Sequence, residues 1–128
     1  MSDKILANVA VIVNNMAVSI VPNSLGYNEG LGEQKPKVAA AGGGQVDILI
    51  ADDVSTHIGK VKFELYPTAS NITLVRGWKV NGSANVVKLT DNDSFHKTFT
   101  KQTLVNDPDI KLSSDGNIQV EFKGAAAA

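Results

Sequence analysis

The sequence predicts a mainly β fold, an antiparallel β-barrel or sandwich with one α-helix on its flank. Short apolar runs rich in Val and Ile recur along the 128 residues, and Asn, Asp, Gly or Pro separates them. One run, Val61–Leu65, alternates strictly between apolar and polar side chains, which is typical of a half-buried strand. Only residues 68–82 combine a capping hydroxyl, apolar residues at helical spacing and a stop signal. We therefore expect about seven short strands and one helix in a single domain, residues 1–128.

The composition excludes several classes of protein. Because 43% of the residues are hydrophobic and only 5% are aromatic, the core must consist mostly of Val, Ile, Leu and Ala. The formal net charge of −1 does not indicate a nucleic-acid or acidic-membrane partner. The absence of cysteine excludes disulfides, thiolate metal sites and cysteine nucleophiles. Residues 1–9 have no long apolar run after their charged positions, so we expect no signal peptide, no spanning helix and no membrane partner.

The first predicted element is a β-hairpin. Leu6–Val13 and Met16–Val21 are rich in β-branched residues, and Asn14-Asn15 between them tolerates the positive φ angles of a two-residue turn. The first of these runs is apolar on nearly both faces. This pattern indicates burial on both sides, either in the core of the chain or against a neighbouring subunit.

Residues 22–45 are the least regular segment. They contain frequent Gly and Pro, including the triplet Gly42–Gly44, and show no sustained apolar period. A compact domain seldom has so long a segment without regular structure unless the segment binds something or is disordered. A mobile linker is one interpretation, but Leu25, Tyr27 and Leu31 are spaced apolar anchors that linkers rarely need. We expect a long loop that makes a contact.

The predicted helix follows the alternating strand. Pro67 ends that strand, Thr68 or Ser70 offers a hydroxyl as the N-cap, and Asn81-Gly82 supplies the stop. A strand across this stretch is the alternative, because β-branched residues and Gly77 disfavour a helix. The apolar positions at helical spacing are Ile72, Val75 and Trp78. The last of them is the only tryptophan, and we expect it to pack the helix against the sheet.

The remaining strands are short and mostly antiparallel. The long strand among them places Phe95 and Phe99 on one face and polar side chains on the other. A turn over residues 113–116 closes the last two strands into a hairpin. The tail, Ala125–Ala128, has no predicted partner and is expected to fray. These strands are Val46–Ala51, Asn85–Leu89, Phe95–Leu104, Ile110–Leu112 and Ile118–Phe122.

No catalytic or cofactor-binding motif is found in the sequence. His57 and His96 have no partner at a metal-ligand spacing. Asp91 begins a segment like a calcium loop, but His96 replaces its glycine and Gln102 replaces its glutamate. Neither glycine cluster opens a helix as a nucleotide-binding loop does, and no serine lies in a nucleophile elbow. We therefore expect neither an enzyme nor a cofactor.

The order of several motifs resembles a known family. They are SLGYNEGLGEQ at residues 24–34, the glycine triplet, VKFELYPTASNITLVRGWK at 61–79, NVV at 85–87 and SFHKTFTKQTLVNDPDIKLSSDGNIQVEFKG at 94–124. Over nearly its whole length the chain resembles the tail tube proteins of contractile-tailed, myovirus-like bacteriophages. Their fold is shared with the tube proteins of type VI secretion systems.

The resemblance implies a structural virion protein. Family members form hexameric β-barrel rings that stack into the inner tube of a contractile tail, with the helix on the outer side. The implied partners are other copies of the chain, the sheath protein, and the baseplate and tail terminator proteins. Phage DNA would pass through the lumen without specific binding during genome ejection, and the protein would be assembled in the host cytoplasm. The strand count agrees independently, because a wide aqueous barrel needs about 16 or more strands and so more than one such chain.

Two sets of site residues follow. Residues 22–45 lie where family members have a loop that reaches the neighbouring ring, so its anchors Leu25, Tyr27 and Leu31 are the expected inter-ring contacts.

A DNA conduit favours a neutral or acidic wall, because basic side chains would retain DNA by counterion release. The basic residues Lys60, Lys62 and Arg76 are then expected outside, although a strand slipped by one residue would present its opposite face. The expected lumen-facing residues are Gln119 and Glu121 on the last strand and His96, Thr98, Thr100 and Gln102 on the long strand.

Two other interpretations remain open at this stage. A small β-sandwich could be a monomeric or dimeric binding module that recognises a carbohydrate or peptide with its glycine-rich loop. A virion protein of the same fold could also lie elsewhere, as a tail terminator or a baseplate hub. The oligomeric state separates the first of these from a tube protein.

Overall fold

The computed structural model describes residues 5–6, 8–40, 46–91 and 93–128. The triplet Gly42–Gly44 and Asn92 lie outside the described residues. The described part of the chain forms nine strands, one α-helix and a 3₁₀ turn. They are β1 (Ala10–Val13), β2 (Met16–Val18), β3 (Gly26–Asn28), β4 (Glu33–Ala40), β5 (Val46–Asp53), the 3₁₀ turn (Val54–Thr56), β6 (Gly59–Leu65), α1 (Ala69–Val80), β7 (Asn85–Thr90), β8 (His96–Leu104) and β9 (Ile118–Gly124).

Seven strands form one antiparallel sheet in the order β2-β1-β7-β8-β9-β6-β3, and β4 and β5 form a separate antiparallel hairpin. One face of the large sheet is buried, with Phe63, Phe99 and Phe122 among its fully buried side chains. The opposite face is mostly polar. The predicted fold class is confirmed: the chain is mainly β and antiparallel, with one flanking helix, and its described strands form an open, sandwich-like sheet. No helix in the described ranges is long and apolar enough to cross a membrane.

The N-terminal hairpin has the predicted turn. Asn14 and Asn15 adopt φ angles of 52° and 66°, the left-handed values that a two-residue hairpin turn requires. The strand β1 then pairs with β7 on its other edge and buries Val11 and Val13 almost completely. These two residues belong to the core of the chain itself, whereas Ala10 and Ile12 on the other face of β1 are exposed and partly buried, respectively.

The helix prediction is confirmed, and the strand alternative is wrong. Thr68 caps α1 by accepting a hydrogen bond from the Asn71 backbone N–H at 3.2 Å. Gly77 lies on the exposed side of α1, so it leaves no gap in the core. Trp78 is only 3% exposed, and its ring centroid lies 6.1 Å from that of Phe63 and 5.5 Å from that of Phe122. The indole therefore packs α1 against β6 and β9.

A β-bulge changes which residues of β8 face the core. Asn85 and Val87 of β7 pair with Gln102 and Phe99 of β8. One residue separates the first two and two residues separate the second two, so β8 contains one extra residue at this point. Lys101 within this segment has a φ angle of 53°. The extra residue shifts the alternation, and Gln102 is fully buried on the same side as Phe99. The expectation that Gln102 faces the lumen is therefore wrong.

The segment 22–45 contains regular structure that the sequence pattern did not predict. Strand β3 pairs with β6, and β4 forms eight successive residue pairs with β5, from Glu33–Asp53 to Ala40–Val46. The Asp52-Asp53 pair is the end of β5. Pro36 within β4 is compatible with this pairing, because each strand of a two-stranded hairpin has one free edge where no N–H is needed.

The predicted C-terminal hairpin is wrong in its first strand. Residues 105–117 form a loop, and Ile110 and Leu112 are exposed. Strand β9 pairs with β6 along its whole length instead. The Asn106 side chain makes two hydrogen bonds to the β9 backbone of the kind that a neighbouring strand would make. It accepts one from the Glu121 N–H at 3.0 Å and donates one to the Gln119 carbonyl at 2.7 Å.

The C-terminal alanines have backbone partners, contrary to expectation. Beyond the β8 bulge the tail continues beside β8: the Ala125 N–H donates to the Thr100 carbonyl at 3.2 Å, and the Ala128 N–H donates to the Thr98 carbonyl at 2.9 Å. The Ala127 N–H donates to the Glu29 carbonyl at 2.8 Å, and its side chain packs against the core. The tail thus covers the part of β8 that β9 leaves unpaired.

A matched pair of substitutions tests the role of the tail. Ala127→Asp is expected to lower the free energy of unfolding by about 1–3 kcal/mol, because it puts a carboxylate at a partly buried position against the core. Ala126→Asp at the exposed neighbouring position is expected to change it by less than about 0.5 kcal/mol. Urea denaturation of the two variants measures the difference. Equal stability would mean that the tail does not pack in solution.

Candidate assembly surfaces

One face of the β4–β5 hairpin is apolar and exposed. In an antiparallel pair, directly opposed residues project to the same side, and the register pairs Val38 with Ile48 and Pro36 with Ile50. Val38, Ile48 and Ile50 are 71%, 66% and 65% exposed. We call these four residues the hairpin face. Contiguous exposed apolar surface of this kind marks an interaction site in soluble proteins.

The opposite side of the hairpin is of mixed character. Leu49 is exposed there, and Lys35 forms an ion pair with Asp53 at 3.1 Å between Nζ and Oδ2. The hydroxyl of Ser55 and the ammonium of Lys35 hold the pKa of Asp53 below its usual range. This side is therefore charged at neutral pH, and the hairpin has one apolar and one mixed face.

Polar contacts hold the base of the hairpin. The Glu33 backbone N–H donates to the Thr56 hydroxyl at 2.6 Å, and His57 Nε2 lies 2.9 and 3.0 Å from the two carboxylate oxygens of Asp52. Gly32 has a φ angle of +87°, and a side chain there would collide with the His57 ring. These contacts connect β4 to the end of β5 and to the 3₁₀ turn. They give the hairpin a defined base, which the linker interpretation of this segment does not provide.

The three predicted inter-ring anchors differ in their surroundings. Leu25 is partly buried against the core. Tyr27 lies in β3 and is 42% exposed, and its ring centroid is 5.9 Å from those of Phe95 and Phe99, so part of its apolar surface is used within the chain. Leu31 is 79% exposed. Of the three, Leu31 has by far the most surface free for a partner.

The polar face of β6 and β9 combines residues that were expected on opposite sides of a tube wall. The register pairs Lys62 with Glu121, Lys60 with Lys123, and Glu64 with Gln119, so all six side chains project to one side. Glu121 lies 3.8 Å from Lys62 Nζ and 3.4 Å from Lys123 Nζ. Lys60 and Lys62 therefore cannot lie outside while Glu121 and Gln119 face a lumen. Arg76, by contrast, is exposed on α1.

The expected lumen residues of β8 lie on the continuation of this face. Thr98 opposes Lys88 of β7, and Thr103 opposes Lys123 of β9. Thr100 is exposed. His96 is already bonded within the chain, through Nδ1 to the Thr90 hydroxyl and through Nε2 to the Asp93 carbonyl, both at 2.9 Å. The face is thus a continuous polar surface across β7, β8, β9 and β6.

Asn85 is a central structural residue that the sequence did not reveal. It is fully buried, and it connects the β1–β2 turn, the end of α1 and the β8 bulge. An asparagine that opens a strand after a Gly-Ser-Ala turn gives no signal of this role. Its Nδ2 lies 3.0, 3.1 and 3.1 Å from the carbonyls of Trp78, Gly82 and Gln102, and its Oδ1 accepts from Asn14 and Asn81 at 3.0 and 3.3 Å.

Asn85→Ala is expected to lower the free energy of unfolding by about 2–4 kcal/mol, because it leaves buried carbonyls without a donor. Asn81→Ala is the control, since it removes one 3.3 Å hydrogen bond at an exposed position and should cost less than about 1 kcal/mol. Chemical denaturation compares the two variants. Equal losses would contradict the central role assigned to Asn85.

A metal centre in the described ranges would need several ligating side chains close together. No group of three or more His, Asp or Glu side chains there could hold a metal ion. A cleft of about 520 Å³ lies at the base of the hairpin, but it is open and lined by residues of mixed character, including Tyr27, Leu31, Ile58 and Lys60. The most distinctive surfaces among the described residues are the hairpin face and the polar face of β6 and β9.

The fold as a whole resembles that of a solved structure. That structure is a chain of the sheath–tube complex, in the extended state, of an extracellular contractile injection system called PVC. The match has a TM-score of 0.58 and 7% sequence identity, and it covers 96% of this chain and 88% of the other, so the two chains are similar in length. No protein-family model and no curated protein sequence matches the chain.

Proposed function

We propose that this protein is a structural subunit of a contractile tail, which forms the inner tube by stacking hexameric rings inside a sheath. The role is mechanical and requires no catalytic group. Other copies of the chain are its main partners, and the sheath protein and the baseplate and tail terminator proteins are the others. A bacteriophage tail, assembled in the host cytoplasm and used for genome delivery, is the proposed setting.

The observation that carries this proposal is the fold likeness over nearly the whole chain. A TM-score of 0.58 at 96% coverage includes the helix and both sheets rather than one motif. The matched chain belongs to a sheath–tube complex of a contractile injection system. The motif order of the sequence supports the same role independently of this likeness.

The hairpin face supports assembly by stacking. An isolated two-stranded hairpin is marginally stable in water, and an apolar face on it adds a risk of aggregation. A neighbouring ring that covers Val38, Ile48 and Ile50 would remove both problems. We propose the hairpin, together with Leu31, as the main inter-ring contact of segment 22–45, with Leu25 and Tyr27 supporting it from within the chain.

The position of α1 determines which face would line the lumen. The helix packs on the buried side of β6 and β9 through Phe63 and Phe122. If α1 lies outside the ring, the polar face of these two strands points inward. The proposed wall then carries charges of both signs instead of the neutral or acidic surface expected from the sequence. Its residues on β6 and β9 are Lys60, Lys62, Glu64, Gln119, Glu121 and Lys123.

Sedimentation measurements on the purified protein test this proposal. We expect a species of about six chains or larger assemblies, because a ring of this type is closed only when several chains contribute strands. A monomer or dimer over a wide range of concentration and salt would favour the β-sandwich binding module instead.

A further inference from the structure

The polar face of β6 and β9 changes charge from one end to the other. Its three residue pairs are Lys60 with Lys123, Lys62 with Glu121, and Glu64 with Gln119. The first pair carries two positive charges, the second is neutral, and the third carries one negative charge. Lys60, Lys62 and Lys123 therefore form a basic patch at one end, which we call the lysine patch.

The lysine patch is only partly neutralised within the chain. Lys62 and Lys123 share the single carboxylate of Glu121, one at each oxygen, at 3.8 and 3.4 Å. Lys60 makes no ion pair among the described residues, and its directly opposed neighbour is Lys123. Like charges at directly opposed positions destabilise a sheet. The stability of the fold therefore does not explain this arrangement, and a ligand of opposite charge would.

We propose that the lysine patch is a contact site for the phosphate backbone of duplex DNA. Gly26 of β3 opposes Lys62, and the space above it is open. Tyr27 on the neighbouring strand β3 opposes Val61 and so projects to the other face of the sheet, and the patch therefore offers charge to phosphates rather than a platform for stacked bases. Duplex DNA presents one charge per about 1.7 Å, and counterion release from so dense a polyanion makes a small lysine cluster effective.

The contact is a property of the single chain, whereas its place on the inner wall rests on the proposed function. In a ring, every copy would present the same patch, and the weak contacts would add. The wall would then retain DNA in a salt-dependent manner instead of conducting it passively. This consequence reverses the expectation of a neutral or acidic conduit.

Fluorescence anisotropy with a short labelled DNA duplex tests the proposal on the soluble protein at low salt. The double variant Lys60→Ala/Lys123→Ala is expected to bind about tenfold more weakly, with a smaller dependence of the affinity on salt, because phosphate contacts are lost. Arg76→Ala/Lys111→Ala removes the same charge from exposed positions elsewhere and should bind like the parent. Glu121→Gln frees two lysines and should bind several-fold more tightly.

Two results would overturn the proposal. One is an equal loss in both double variants, which would show that only net charge matters. The other is competition by polyglutamate as effective as that by unlabelled DNA, which would show that the patch does not select a phosphate backbone. Circular dichroism confirms that each variant is folded. Microscopy scores ring formation separately, so a failure of DNA binding is distinguishable from a failure of the proposed assembly.

Discussion

Replacing Ile48 and Ile50 with aspartate is expected to abolish the stacking of rings while leaving the single chain folded. Both side chains belong to the hairpin face and are 66% and 65% exposed, so the substitution does not disturb the core. In a stacked tube they would be buried, and an unpaired carboxylate buried in an interface costs several kcal/mol per subunit. Because every ring repeats the change, we expect no tubes in electron micrographs.

Leu49→Asp is the matched control. Leu49 lies between the two isoleucines on the same strand and is 58% exposed, but it projects to the opposite side of the hairpin. We expect this variant to form tubes, with a melting temperature like that of the double variant. If the Ile48/Ile50 variant still built tubes of normal length, the hairpin face would not be the inter-ring contact.

Trp78→Ala is expected to have the largest effect on the fold itself. The indole is 3% exposed and packs between α1 and the rings of Phe63 and Phe122. Removing a buried aromatic side chain typically lowers the free energy of unfolding by about 3–5 kcal/mol, a large fraction of the stability of a small domain. We expect little folded protein at physiological temperature.

Thermal and urea denaturation measure this effect, with Trp78→Phe as a milder comparison that keeps an aromatic ring in the same space. The phenylalanine variant should lose clearly less stability than the alanine variant. An alanine variant with an unchanged melting temperature would contradict the packing role. Trp78 would then be an exposed contact, and the sheath would be the partner to examine.

Local sequence signals predicted the elements that depend on a few neighbouring residues. Two asparagines with positive φ define the first hairpin, and Thr68 together with the spacing of Val75 and Trp78 defines the helix. Strict alternation predicted β6. In each case the residues that determine the conformation lie within one turn or one strand.

Features that depend on distant pairing were not predictable in this way. The β8 bulge buries Gln102 because of its register with β7, and no residue type in β8 indicates that the strand contains an extra residue. Strand β5 was expected over Val46–Ala51, but its partner β4 was missed because that stretch lacks a regular apolar period and contains Pro36. Ile110–Leu112 has strand-like composition, but the Asn106 side chain bonds to part of the edge of β9 instead.

The candidate surfaces show the same limit. The sequence pattern predicted Leu25, Tyr27 and Leu31 as apolar anchors of one segment, but only the fold shows that Tyr27 packs on Phe95 and Phe99. The charge of the polar face depends on the register between β6 and β9, which joins residues far apart in the chain. From the sequence, Lys62 was expected outside the tube and Glu121 on its inner wall, whereas the sheet pairs the two residues directly.

Negative-stain electron microscopy of the purified protein tests the central claim most directly. The account predicts six-membered rings with an open centre, and stacked tubes at higher protein concentration. A tube that needs an initiator complex would still show rings before stacking. Fields of small single particles without rings, at every concentration and salt examined, would contradict the assignment of this chain to the tube of a contractile tail.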